Sequence, residues 1–96
     1  MLTLITYDVS TTDAAGRKRL SRVAKICINY GQRVQNSVFE CDLDNAQLVV
    51  VREKLLKAMD DKKDSLRIYN LGNHYASRIE HYGVKATYDP EDALIL

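Results

Sequence analysis

The stretch Met1-Leu2-Thr3-Leu4-Ile5-Thr6-Tyr7-Asp8-Val9 reads as a β-strand: β-branched, aromatic and aliphatic residues fill it, and Ser10-Thr11-Thr12-Asp13 follows as a loop and helix start. Side chains alternate across a strand, so Thr3, Ile5, Tyr7 and Val9 share one side and Leu2, Leu4, Thr6 and Asp8 the other. Both sides are largely apolar until Asp8. A strand of this kind belongs inside a sheet covered on both faces. A chain of 96 residues has length for one domain, so a second copy is the natural source of the second cover. Asp8 then lies beside that cover, where an acid costs free energy unless it meets a donor, a metal or water.

Asp13 or Thr12 can cap a helix predicted to run to about Tyr30, with Gly31 as its stop. Leu20, Val23, Ala24 and Cys27 recur at helical spacing and form its buried stripe. Lys18, Arg22, Lys25 and Asn29 fall on the opposite side, as a solvated face or a binding one, while Arg17 and Arg19 flank the helix start nearest Asp8. Gln32 to Gln35 and Ser37 to Asp42 are two further strands that turn at Asn36, and Phe39, the single Phe, is a packing or an interface residue. Asp44 caps a second helix with Gln47 three residues on, in capping-box fashion, and Leu48, Val51, Leu55 and Met59 share one side of it. Asp60-Asp61-Lys62-Lys63-Asp64 is expected to be a hydrated turn without a functional part. Ser65 to Leu71 is the next strand, ended by Gly72-Asn73.

Strand, helix, strand, strand, helix, strand is the ferredoxin-like βαββαβ order of the α+β class, predicted for residues 1–72. Both helices cover one face of its four-stranded sheet. The apolar content of the other face argues for a homodimer in which two sheets meet. In the tail, residues 73–96, Ile79-Glu80-His81-Tyr82-Gly83 reads as a short strand, and Ala93-Leu94-Ile95-Leu96 is an apolar end. Part of this tail is expected to add an edge strand, on the partner subunit.

No apolar run approaches the roughly 20 residues that span a bilayer, and no charged segment followed by an apolar one opens the chain, so the expected location is cytoplasmic, without a membrane partner. Cys27 and Cys41 are read as reduced, partly buried thiols. Together with His74 and His81 they lack the close pairing of a structural zinc site. The two histidines are read as surface or packing residues. No serine or cysteine triad and no Gly-rich phosphate loop is legible, and the first and third strands lack the aromatic-basic signature of an RNA-recognition motif.

Charge is unevenly spread. Six basic residues (Arg17, Lys18, Arg19, Arg22, Lys25, Arg33) against Asp8 and Asp13 make residues 1–35 +4, and the remainder is −3. This points to an anionic partner. Asp8 with Arg17, Arg19 and Arg33 is the remaining constellation. One carboxylate is a poor magnesium site, since that ion prefers six oxygen ligands. Two copies of Asp8 meeting on a two-fold axis make a better one, able to support in-line attack on a phosphodiester with arginines neutralising the phosphate.

Leu4-Ile5-Thr6-Tyr7-Asp8-Val9, the basic helix from Lys18 to Lys25, the segment from Tyr30 to Cys41, and Asp64 to Gly72 together resemble the CRISPR-associated protein two family, the smaller of the two spacer-adaptation proteins, with a tail similar to its subtype I-C branch. The resemblance implies a ferredoxin-like homodimer with paired Asp8 carboxylates, and a magnesium- or manganese-dependent endonuclease acting on double-stranded DNA or single-stranded RNA. By position it implies Asp8 as metal ligand, with Tyr7, Arg19, Arg33 and Phe39 as catalytic support. Lys18 and Leu20 interrupt the family's arginine cluster around Arg17. The resemblance also implies a second role, a non-catalytic bridge between copies of the larger integrase protein, with Arg17, Lys18, Arg19 and Arg22 along protospacer DNA. A toxin-like ribonuclease related to virulence-associated protein D is a third reading.

Overall fold

The computed structural model describes residues 1–74 and 76–84. Along the chain run β1 (Leu2–Asp8), α1 (Ala14–Ile28), β2 (Gly31–Gln35), β3 (Val38–Asp42), α2 (Asn45–Ala58) and β4 (Ser65–Gly72), followed by a 3-10 turn at Ala76–Arg78. The strands form one antiparallel sheet in the order β2-β3-β1-β4, which puts β1 in the interior. This is the expected ferredoxin-like topology.

Registers show which residues share a face. Ile5 stands opposite Phe39 and Ile68, and Tyr7 opposite Leu66. These residues meet Leu20, Val23, Ala24 and Cys27 of α1 and Val51 and Leu55 of α2 in one core. Burying each large aliphatic side chain contributes about 1.5–3 kcal/mol, so this face holds the fold together. Leu4, Thr6 and Asp8 of β1 point the other way, beside Val38 on β3 and Ser65, Arg67 and Tyr69 on β4. Neither helix covers them, and Tyr69 is 41% exposed.

Local signals explain both helices. The Asp13 carboxylate accepts the Gly16 backbone N–H at 2.7 Å, and a Cβ at Gly16 would stand 1.8 Å from the Ser10 carbonyl oxygen. Only glycine lets the helix start pack so tightly on the loop leaving β1. In α2 the Asp44 and Gln47 side chains cap each other's backbone N–H groups, as expected. Gly31 corrects an expectation: α1 ends at Ile28 with Asn29 as C-cap, and Gly31 opens β2. Its role is close approach, because a Cβ there would come within 1.9 Å of the Glu40 carbonyl oxygen.

Ile79 to Gly83, expected as a short strand, forms no strand among the described residues. The apolar end Ala93 to Leu96 lies outside the described residues. Among the described residues no helix is long and apolar enough to cross a membrane.

Candidate functional site

β1 ends in two neighbours with opposite surroundings. Asp8 pairs with Ser65 on the open face and is exposed. It lines a hollow of about 390 Å³ with Thr6, Tyr7, Ser37, Val38, Ser65 and Arg67. Among the described residues its carboxylate takes part in no hydrogen bond or ion pair. Free carboxylate oxygens in a hollow lined by hydroxyls suit a hard cation such as magnesium, which binds through oxygen and keeps several waters. One chain supplies one carboxylate there, and no group of three His, Cys, Asp or Glu side chains gathers among the described residues. This donor set would supply part of the oxygen shell that magnesium needs.

Tyr7 points to the helix side, is 1% exposed, and donates its hydroxyl to Asp64. Asp64 corrects the expectation of a hydrated, idle turn. Its side chain has no exposure, and Arg19 binds it through Nε at 2.8 Å and the second nitrogen of the fork at 3.1 Å. The Asp60 backbone N–H adds a fourth donor at 2.9 Å. Burial alone raises the Asp64 carboxyl, but the hydrogen bonds from Arg19, Tyr7 and Asp60 outweigh it and hold the group below the usual carboxylate range. Burial, helped by the adjacent Asp64, pushes the Tyr7 phenol up to about 12. Three elements are thereby tied together: β1, α1 and the turn before β4. Sequence reasoning passed over Asp64, although Tyr7 on a core-facing register position was a signal, since a buried phenol seeks a partner.

The other expected site residues divide in the same way. Phe39 is fully buried on the helix side, with the Arg33 guanidinium 5.6 Å from its ring centroid. Arg33 also donates to the Asn36 carbonyl at 2.6 Å and so braces the β2–β3 turn. Arg17, exposed, reaches back to the Thr11 carbonyl at 3.0 Å. Arg17, Lys25 and Arg33 line a second groove, of about 470 Å³, between α1 and that turn. Lys18 and Arg22 stand exposed on α1. The structure therefore joins Tyr7 and Arg19 through Asp64 and sets Arg33 on Phe39. Of the basic residues, it leaves Arg67 in the hollow with Asp8. Cys27 and Cys41 are free, buried thiols, and the Cys41 side chain together with burial pushes the Cys27 thiol up, which keeps it unreactive.

Fold and site define a ferredoxin-like protein with an unpaired acid at the end of its first strand, on a sheet face that the helices leave open. The family model for CRISPR associated protein Cas2 matches residues 1–79. Two relatives extend the match over nearly the whole chain. A CRISPR-associated endonuclease Cas2 of Halalkalibacterium halodurans is 58% identical over 95 residues, covering 99% of both chains. A CRISPR-associated endoribonuclease Cas2 of Chlorobaculum tepidum is 59% identical over 96 residues, covering all of both. The crystal structure of Streptococcus pyogenes Cas2 at pH 6.5 superposes with a TM-score of 0.81 at 52% identity, covering 86% of this chain and all of that one. The chain belongs to the Cas2 family of CRISPR-associated proteins.

Proposed function

We propose that this protein serves CRISPR spacer acquisition as a homodimer and hydrolyses phosphodiester bonds in double-stranded DNA, single-stranded RNA or both. The carrying observation is the Asp8 carboxylate, which has no partner among the described residues and lies in a hydroxyl-lined hollow. In this reading the open sheet faces of two subunits meet, bringing the two Asp8 residues together, and the tail adds an edge strand to the partner's sheet. The two acids would hold magnesium or manganese, which would supply a Lewis acid to a phosphoryl oxygen. Thr6, Ser37 and Ser65 orient water and the sugar-phosphate backbone in the hollow. Tyr7, Arg19 and Asp64 hold the end of β1 in place from the covered side. A carboxylate binds a hard cation only in its ionised form, so metal-dependent cleavage should fall under acidic conditions.

A specific observation favours a second role. Arg17, Lys18, Arg22, Lys25 and Arg33 belong to the α1 side, whereas Asp8 opens on the far face of the sheet. A basic surface separate from the acid suits a bridge that carries duplex DNA between copies of the larger integrase without cutting it.

Cleavage of duplex DNA and single-stranded RNA by wild type and Asp8→Asn, with magnesium, manganese or chelator and across pH, tests the reading. Metal-dependent cleavage lost in the variant supports it and identifies the substrate. Equal cleavage by both proteins, or a maximum under acidic conditions, defeats the paired-acid site.

A further inference from the structure

Sequence reasoning assigned phosphate neutralisation at Asp8 to arginines 17, 19 and 33. Within one chain they lie away from the Asp8 hollow. Arg19 is committed to Asp64, while Arg17 and Arg33 line the groove on the helix side. Of the described residues that the strands place on the open face, Arg67 is the one cation. It faces Thr6 across the β1–β4 ladder, two residues along β4 from Ser65, the partner of Asp8, and it lines the same hollow. No ion pair joins it to Asp8. Its guanidinium is nevertheless oriented, because one terminal nitrogen donates to the Tyr69 hydroxyl at 3.0 Å.

A guanidinium has five N–H donors in a planar fork that matches two phosphate oxygens. One donor direction is taken by Tyr69, and among the described residues the rest remain for a ligand. An acid and a cation that share a hollow without neutralising each other are suited to a ligand that needs both, such as a phosphodiester whose oxygens face the arginine while a cation bridges it to the acid. Arg67 lies three residues after Asp64, so the buried network also steadies the strand that presents it.

We infer that Arg67, oriented by Tyr69, is the residue that binds the nucleic-acid phosphate at the Asp8 hollow. The inference rests on the reading of that hollow as a phosphodiester site. Tyr69 acts through Arg67 as a positioning residue.

The test is binding in chelator, so that no cleavage contributes. Wild type, Arg67→Ala, Arg67→Lys and Tyr69→Phe are titrated with a 20-base-pair DNA duplex and, in a separate arm, a 20-nucleotide RNA over a salt series. Sedimentation of the same samples reports assembly. For Arg67→Ala we expect roughly tenfold weaker binding. The slope of log affinity against log salt should become shallower by about 0.9 per arginine engaged on duplex, or about 0.7 on single strands. Arg67→Lys should recover the slope but not the full affinity, and Tyr69→Phe should weaken affinity while keeping the slope. The arm that responds names the backbone bound. An unchanged slope in both arms for Arg67→Ala, or binding that falls only in step with loss of assembly, overturns the inference. Failure of the nuclease reading is seen separately. A wild type that never cleaves with magnesium or manganese, yet loses slope in Arg67→Ala, keeps Arg67 as a phosphate contact and removes the hydrolysis.

Discussion

Tyr7 and Asp8 are consecutive residues of β1, yet the two sides of the sheet treat them oppositely. On the helix side, the Tyr7 hydroxyl, the Arg19 fork and the Asp60 N–H all converge on Asp64, a carboxylate with no exposure. On the open side, among the described residues, Asp8 has no side-chain partner and Arg67 has only Tyr69. A polar network with every oxygen occupied has nothing left to offer a ligand, so its contribution is stability and placement. Unspent donors and acceptors in a hollow are what a ligand can use. Residue type alone would have put Tyr7, Arg19 and Asp8 in one site.

Substitutions can separate the two sides. The largest effect is expected for Asp8→Asn, which should bring metal-dependent cleavage to background while leaving thermal unfolding unchanged, read by a cleavage assay beside a melting curve. If melting falls instead, the acid belongs to the fold and the contrast fails. Asp64→Ala should do the reverse: it leaves donors unanswered in the interior and should cost about 3 kcal/mol of stability by denaturant titration. Cleavage per folded molecule should fall far less than in Asp8→Asn.

Next comes Tyr7→Phe, which removes a hydrogen bond to a charged acceptor and should cost about 2 kcal/mol. Its pH signature is specific. The phenol titrates at an ordinary 10.0 when unfolded and at about 12 when folded, so the folded state holds the proton more tightly. That stabilisation is fully present below pH 10 and is lost as pH rises toward 12, a window that the difference between wild-type and Tyr7→Phe stability curves should display. The folded Asp64 carboxyl is held below its ordinary 3.8, so its contribution is present above that value and lost as pH falls through the lower folded one. Stability of Asp64→Ala should accordingly converge on that of wild type in strong acid.

The smallest effect on the fold is expected for the exposed pair Lys18→Glu and Arg22→Glu. Each should change stability by no more than about 0.5 kcal/mol. Each should also make the salt dependence of duplex binding shallower by about 0.9 if the α1 face tracks phosphates. An unchanged slope would leave the basic face without a nucleic-acid role and weaken the bridging account.

Much of this molecule follows from relations between near neighbours in the chain. The alternation in β1, the stripe from Leu20 to Cys27, the Asp13 cap and the Asp44–Gln47 box each depend on residues two to seven positions apart, and each forms as expected. The strand order followed from them because few topologies suit six such elements. Gly31 was misread because a glycine after a helix signals a stop, while the close approach of Glu40 that requires it arises only when β2 and β3 pair. Asp64 was misread for a stronger version of the same reason. In a run of alternating charges it looks hydrated, and the partners that bury it lie 45 and 57 residues away. Local pattern could say that Asp8 would be an acid at the end of an apolar strand. Which of the chain's polar groups would be consumed by one another, and which left free for a ligand, depends on long-range packing, because a carboxylate's surroundings are made by whatever the fold brings within hydrogen-bond reach.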